Sequence, residues 1–171
     1  MRRFVVITFL IVVCSWATAC NPFAPALEEG NPFGDLLGDP TTIEGFFTNF
    51  RNAYELRDLS LYEPLLDSSF TFVYTDYDVQ IDREWGFTQD LESTRRLFQN
   101  SSGIRLQWNQ IITQDVLEPV VRERIIRSFN LTVTLEQGDV FRTDGNVNFL
   151  LAREDSLSSW RLKRWRDESE L

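Results

Sequence analysis

Histidine does not occur anywhere in the 171 residues. That removes the side chain whose charge changes near neutral pH, and with it histidine-based triads and nearly all zinc or iron sites. Any acid–base chemistry would have to rest on carboxylates, tyrosines or the single lysine, Lys163. Cysteine is confined to Cys14 and Cys20, so no thiol after residue 20 is available to oxidise and a disulfide framework is excluded. Basic charge is scarce, 17 Lys and Arg against 26 Asp and Glu, which leaves a net charge of −9. An acidic surface of that kind repels phosphate backbones, and nucleic acid is not expected as a partner.

The long apolar run that the chain does have lies at its start. Arg2 and Arg3 precede an uncharged stretch from Phe4 to Val13, and the small residues Ala17-Thr18-Ala19 stand directly before Cys20. Basic head, apolar middle and small cleavage site together predict a signal peptide over residues 1–19. Ala17-Thr18-Ala19-Cys20 resembles the bacterial lipobox. The resemblance implies a lipidated Cys20 carrying diacylglycerol and, commonly, palmitate, and two or more acyl chains hold a protein stably on a bilayer at ~0.8 kcal/mol per buried methylene. Asn21 follows the cysteine where inner-membrane retention would favour aspartate, so the expected location is the cell envelope, at the outer membrane. Two other readings stay open: an uncleaved membrane-spanning helix, against which Pro22 and Pro25 interrupt the run, and secretion without lipid. Loss of Arg2 and Arg3 from the 17 basic residues would leave 15 against 26 acidic ones, a net of −11.

Residues 20–40 read as a tether, with Pro22, Pro25, Pro32 and Pro40 among Gly30, Gly34 and Gly38 and no sustained periodicity. Flexible coil of that length would hold a domain on the order of 25 Å from the membrane. Asn21-Pro22-Phe23 recurs as Asn31-Pro32-Phe33, either as a docking motif or as a chance of proline-rich composition.

A domain over residues 41–171 follows. Ile43, Phe46, Phe47, Phe50 and Tyr54 share one helical face over 41–57, with Thr41 or Thr42 as N-cap. Leu59 to Leu66 predicts a short helix, Ser69 to Thr75 a strand, 76–83 a polar loop, and Thr88 to Gln99 a third helix through Leu91, Thr94, Arg95 and Phe98. The last third alternates as β: Ile104, Leu106 and Trp108; Phe129, Leu131, Val133 and Leu135; Val147, Phe149 and Leu151; Trp160 and Leu162. Turns are expected at Gln137-Gly138-Asp139 and from Asp155 to Ser159. The fold class is α+β, a cone-shaped, curved antiparallel sheet wrapped around about three N-terminal helices.

Phe46-Phe47-Thr48-Asn49-Phe50 with Tyr54 and Arg57-Asp58-Leu59, Leu65-Leu66-Asp67-Ser68-Ser69-Phe70, and the closing Trp160-Arg161-Leu162-Lys163-Arg164-Trp165 carry a likeness over residues 41–167. In that order of elements the chain resembles the nuclear transport factor 2-like (SnoaL-like) superfamily. The resemblance implies a pocket between the first helix and the concave sheet face, and it hardly specifies an activity. Aligned on Arg57-Asp58-Leu59, the donor tyrosine of the ketosteroid isomerase branch would fall at Phe50 and its base aspartate near Tyr74. Neither residue can fill those roles, and no catalytic residue is assigned. The histidine–aspartate machinery of the dehydratase and cyclase branches is excluded with the histidine.

What remains is a pocket of rings, Phe50, Tyr54, Phe72, Tyr74, Trp85 and Trp108, able to hold an apolar or flat ligand, or else simply to fill the core. Asp76, Asp78, Asp82 and Glu84 have oxygen ligands for calcium, but Ile81 and Phe87 occupy the glycine and glutamate positions of a calcium loop, so no metal is expected. Arg122, Arg124, Arg127, Arg161, Arg164 and Arg166 suggest either cross-strand ion pairs or a face for an anionic partner. The expected function is that of a lipid-anchored binding or interaction module, with a small apolar ligand or an envelope protein as partner and no cofactor. Two alternatives stand beside it: a small isomerase- or dehydratase-type enzyme with Asp76 or Asp78 as base and Tyr54 as donor, and a homodimeric scaffold. A deeply buried carboxylate of raised pKa would favour the enzyme, and a cavity filled by rings would favour interaction or scaffolding.

Overall fold

A computed structural model of the chain describes residues 36–76 and 78–168. The signal segment, Cys20 and the two Asn-Pro-Phe motifs lie outside the described residues. Among those described, no helix is long and apolar enough to cross a membrane.

Helix α1 runs Ile43–Leu56. Thr42 caps it, its hydroxyl accepting from the Gly45 amide at 3.0 Å, which satisfies one of the amides a helix start leaves unpaired. Arg57, in the left-handed conformation at φ 55°, ends it, and its guanidinium donates to the Ser101 carbonyl. The buried face carries Phe46, Phe47 and Phe50, each at most 1% exposed. Burial of such rings stabilises by roughly 1.5–3 kcal/mol apiece. A short helix α2 (Leu59–Tyr62), capped by Asp58, continues as a 3-10 turn over Glu63–Leu65.

Residues 36–40, assigned to the tether by composition, are seated on this helix. The Asn49 side chain accepts from the Gly38 amide at 2.7 Å and donates to the Gly38 carbonyl at 2.9 Å. The Trp160 amide donates to the Pro40 carbonyl at 2.9 Å. A Cβ on Gly45 would lie 1.8 Å from the Asp39 carbonyl oxygen, so glycine at this buried position is what allows the segment to lie so close.

The strands are β1 (Leu66–Asp76), β2 (Ile81–Gly86), β3 (Ser101–Glu118), β4 (Arg122–Leu135), β5 (Val140–Ala152) and β6 (Arg161–Asp167), with helix α3 (Phe87–Asn100) between β2 and β3. They form one sheet in the order β2-β1-β6-β5-β4-β3. Every pair is antiparallel except β1 with β6, which run parallel. The architecture is α+β as expected, but the curved sheet is mixed and not wholly antiparallel.

Part of the predicted polar loop over 76–83 belongs to strands. Residues 81–86 pair with β1, placing Trp85 opposite Phe72 and Asp82 opposite Thr75. The strand alternates Ile81, Arg83 and Trp85 against Asp82 and Glu84, and as a sheet edge it buries little, so its apolar signal is faint. The expected turns do form. Gly138, at φ 94°, closes the β4–β5 hairpin with its amide on the Leu135 carbonyl, and the Asp155 carboxylate accepts from the amides of Leu157 and Ser158.

Candidate functional site

A cavity of about 370 Å³ lies between α1, α3 and the inner face of the sheet. Its size falls within the range of small-molecule sites, roughly 300–1,000 Å³. Period-two alternation aims Phe72, Trp85, Trp108 and Trp165 inward from four different strands, and helical spacing aims Phe50 and Tyr54 down from α1. Phe72 and Trp85 stack at 4.3 Å, and Phe50 and Tyr54 at 4.9 Å. Ser93 and Thr143, both exposed, mark where the cavity meets the surface.

Of the six rings named from the sequence, Phe50, Tyr54, Phe72, Trp85 and Trp108 line this one cavity. Tyr74 does not. It stands one repeat further along β1, half-buried, with its ring 5.4 Å from that of Trp85. Trp165, named from the sequence in the closing motif but not as a pocket ring because only Trp160 and Leu162 read as the alternating pair of the last strand, also lines the wall.

The polar centre of the cavity is Asp90. It is 4% exposed, in the first turn of α3. One carboxylate oxygen accepts from the Tyr62 hydroxyl at 2.8 Å and the other from the Trp85 indole N–H at 3.0 Å. Burial pushes the Asp90 pKa up, against the lowering effect of those two hydrogen bonds. Burial likewise raises both tyrosines of the cluster, Tyr62 with added repulsion from Tyr54 and Asp90, and Tyr54 with added repulsion from Asp90. Tyr54 also meets the hydroxyls of Tyr62 and Thr94.

Sequence reading missed Asp90 although a signal existed. Asp90, Thr94 and Phe98 recur at i, i+4 and i+8, an acid on the face that also carries Leu91, and all four are buried. Arg95, named there instead, is exposed and pairs with Glu92. Neither carboxylate of the enzyme alternative reaches the cavity. Asp76 ends β1 and pairs with Arg83 at 3.4 Å, and Asp78 is exposed in the β1–β2 turn.

Outside the cavity, Asp82 accepts from Thr75 and pairs with Arg166 at 3.0 Å, and the Thr75 hydrogen bond, helped by the arginine, holds its pKa down. Arg122 pairs with Glu118, Arg124 with Asp115, and Arg127 with Glu44 across 83 residues of chain. Four of the six arginines are therefore in ion pairs with carboxylates. Arg127 also lies 4.7 Å over the Phe47 ring.

No family model matches the chain, and no curated protein matches it. Solved structures do. A candidate scytalone dehydratase from Novosphingobium aromaticivorans is similar at a TM-score of 0.65 and 10% identity, over 75% of this chain and 82% of that one. A conserved protein from Planctomyces limnophilus reaches 0.62 at 16% identity, over 73% and 91%. A nuclear transport factor 2-like superfamily protein from Salmonella enterica reaches 0.57 at 12% identity, over 74% and 87%. At such identities the likeness shows a fold and nothing finer. The protein has the nuclear transport factor 2-like fold.

Proposed function

We propose that the protein is a membrane-anchored binding module, lipidated at Cys20 in a bacterial envelope, that takes a flat and largely apolar small molecule into its cone without transforming it. The observation that supports this reading most is the open cavity of about 370 Å³ walled by ring faces. Rings from one helix and five strands stand around this open space.

A second reading, an isomerase- or dehydratase-type enzyme, is favoured by one observation, the burial and raised pKa of Asp90. Catalysis of that kind also needs a donor aimed at a developing oxyanion. Two of the wall's three indole donors are otherwise engaged: Trp85 donates to Asp90, and Trp108 donates to the Phe47 carbonyl at 2.9 Å. The Trp165 indole nitrogen, without a hydrogen-bond partner among the described residues, is itself buried, its ring edge-on to Phe72 and Phe149, so it is not presented to a ligand. The geometry thus supports binding better than turnover.

Calorimetric titration of the full chain in neutral detergent with 2-naphthylmethanol, a flat neutral probe, tests the reading. Saturable binding is expected, weakened at least tenfold in Leu131→Phe, which adds a ring to the cavity wall. Equal heats from wild type and variant would overturn it. For the anchor, Cys20→Ser is expected to leave the protein at its unprocessed, unlipidated mass, and an unchanged mass of the mature protein would refute lipidation.

A further inference from the structure

We propose that the cavity selects an apolar organic cation, a flat amine or ammonium compound whose charged head rests against Asp90 while its hydrocarbon lies among the rings. The inference rests on the binding reading above and names the chemical class of ligand.

Charge in the wall has one sign. Among the described residues Asp90 and Asp167 line the cavity, and no lysine or arginine does. The aromatic faces add to the same sign, since each ring presents a negative π surface and attracts a cation within about 6 Å of its centre. An anionic ligand would enter against both.

Asp90 itself lacks a counter-charge. It forms no ion pair among the described residues, and both of its donors, Tyr62 and Trp85, are neutral. An ionised carboxylate has about four acceptor sites. Two are used, so an ammonium has places to bind without displacing either donor. A buried charge without a charged partner is a costly arrangement, and a ligand that supplies the partner recovers part of that cost on binding. Burial raises the pKa of Asp90, consistent with a carboxylate that lacks a cation nearby.

Other groups near Asp90 do not compete for the role. From α1 the facing polar group is the Tyr54 hydroxyl, from α2 the Tyr62 hydroxyl, from β2 the Trp85 indole, and from α3 itself Thr94. All are uncharged at neutral pH. Arg95 and Arg96, on the same helix, are exposed and pair with Glu92.

The test uses three probes of matched shape with the full chain in neutral detergent: 2-naphthylmethylammonium, 2-naphthylmethanol and 2-naphthoate. At neutral pH the ammonium is expected to bind at least tenfold more tightly than the alcohol, and the naphthoate more weakly than either. Asp90→Asn should lower the ammonium to the alcohol's affinity and leave the alcohol within a factor of about two. Trp85→Phe, which removes a donor but keeps the carboxylate, should preserve the cation's advantage, and it serves where Asp90→Asn does not fold. A naphthoate that binds as well as the ammonium overturns the proposal, and so does an ammonium-to-alcohol ratio unchanged in Asp90→Asn. Equal binding of all three probes ends the charge preference alone, whereas no binding of any probe ends the cavity reading and this inference with it.

Discussion

Asp90 shows how one residue can set the character of a cavity. Its carboxylate is buried with two neutral donors and a raised pKa, so ionisation in the folded state is harder than in the unfolded chain, where the ordinary value is 3.8. The sign follows from linkage. A carboxyl group with a raised folded pKa contributes its full stability below the unfolded value and loses it as pH rises through the folded value. Wild type should therefore gain stability relative to Asp90→Asn as pH falls from 7 towards 4, with the gap levelling near 3.8. Paired urea denaturation curves at several pH values measure this, and a wild-type stability that falls relative to the variant's on acidification would contradict it. Asp39, Asp58 and Glu92, none of them buried, are shifted the other way by hydrogen bonds from Thr41, Ser60 and Arg96 respectively, so the absolute curve of either protein can still fall in acid. Only the difference isolates Asp90.

Asn49 supplies a second residue-scale prediction. It is 8% exposed and pairs with both the amide and the carbonyl of Gly38. Asn49→Ala would leave two backbone groups without partners, each worth about 1–3 kcal/mol when buried. The segment is partly open to water, so a loss of about 1–2 kcal/mol is expected on urea denaturation, with faster hydrogen exchange at the Gly38 amide.

Among the elements, α1 is the most legible in sequence and the most constrained in space. Five apolar residues at helical spacing and a threonine cap are local features, and they sufficed to place it within two residues of its ends. Its contact with residues 36–40 was not legible, because proline and glycine look the same in a tether and in a segment held by side chains 11 residues away. Gly45→Ala separates two effects at this contact. Alanine improves helix propensity by ~0.8–1 kcal/mol, but its methyl would overlap the Asp39 carbonyl at 1.8 Å. Overpacking against backbone costs about 1–3 kcal/mol. Net destabilisation is expected in thermal melts, and a stabilised variant would show that residues 36–40 readily leave the helix.

Strand β2 went unseen for a different reason. An edge strand with polar residues on its outer face has little hydrophobic alternation to detect, and Trp85 acquires its meaning only opposite Phe72. The parallel pairing of β1 with β6 is likewise invisible locally, since alternation gives the inward face of a strand but not its direction.

For the whole molecule, the scarcity of cysteine makes a simple prediction. If the leader is removed and Cys20 carries lipid, the unfolded mature protein should show no reactive thiol on titration, because Cys14 leaves with the leader and no other cysteine exists. One thiol per chain would count against lipidation. The net charge of −9 further suggests that cationic ligands are drawn toward the domain while anionic ones are repelled. Association of 2-naphthylmethylammonium should accordingly slow as salt is raised through the physiological range, with dissociation from the buried Asp90 little changed. Stopped-flow tryptophan fluorescence reads both rates, since Trp85, Trp108 and Trp165 line the site.

Composition alone excluded histidine chemistry and a disulfide framework, and periodicity alone established the helices, most strands and the two turns, because each is a local property that neighbouring residues determine between them. It also named five of the rings that meet in the cavity. What the tertiary structure decided is that those rings enclose a space instead of filling it, and that Asp90 sits inside that space beside Tyr62 and Trp85. Spacing along the chain specifies which way a side chain points. Only the curvature of the sheet and the seating of α1 and α3 on it determine how much room is left between them and which charge faces that room.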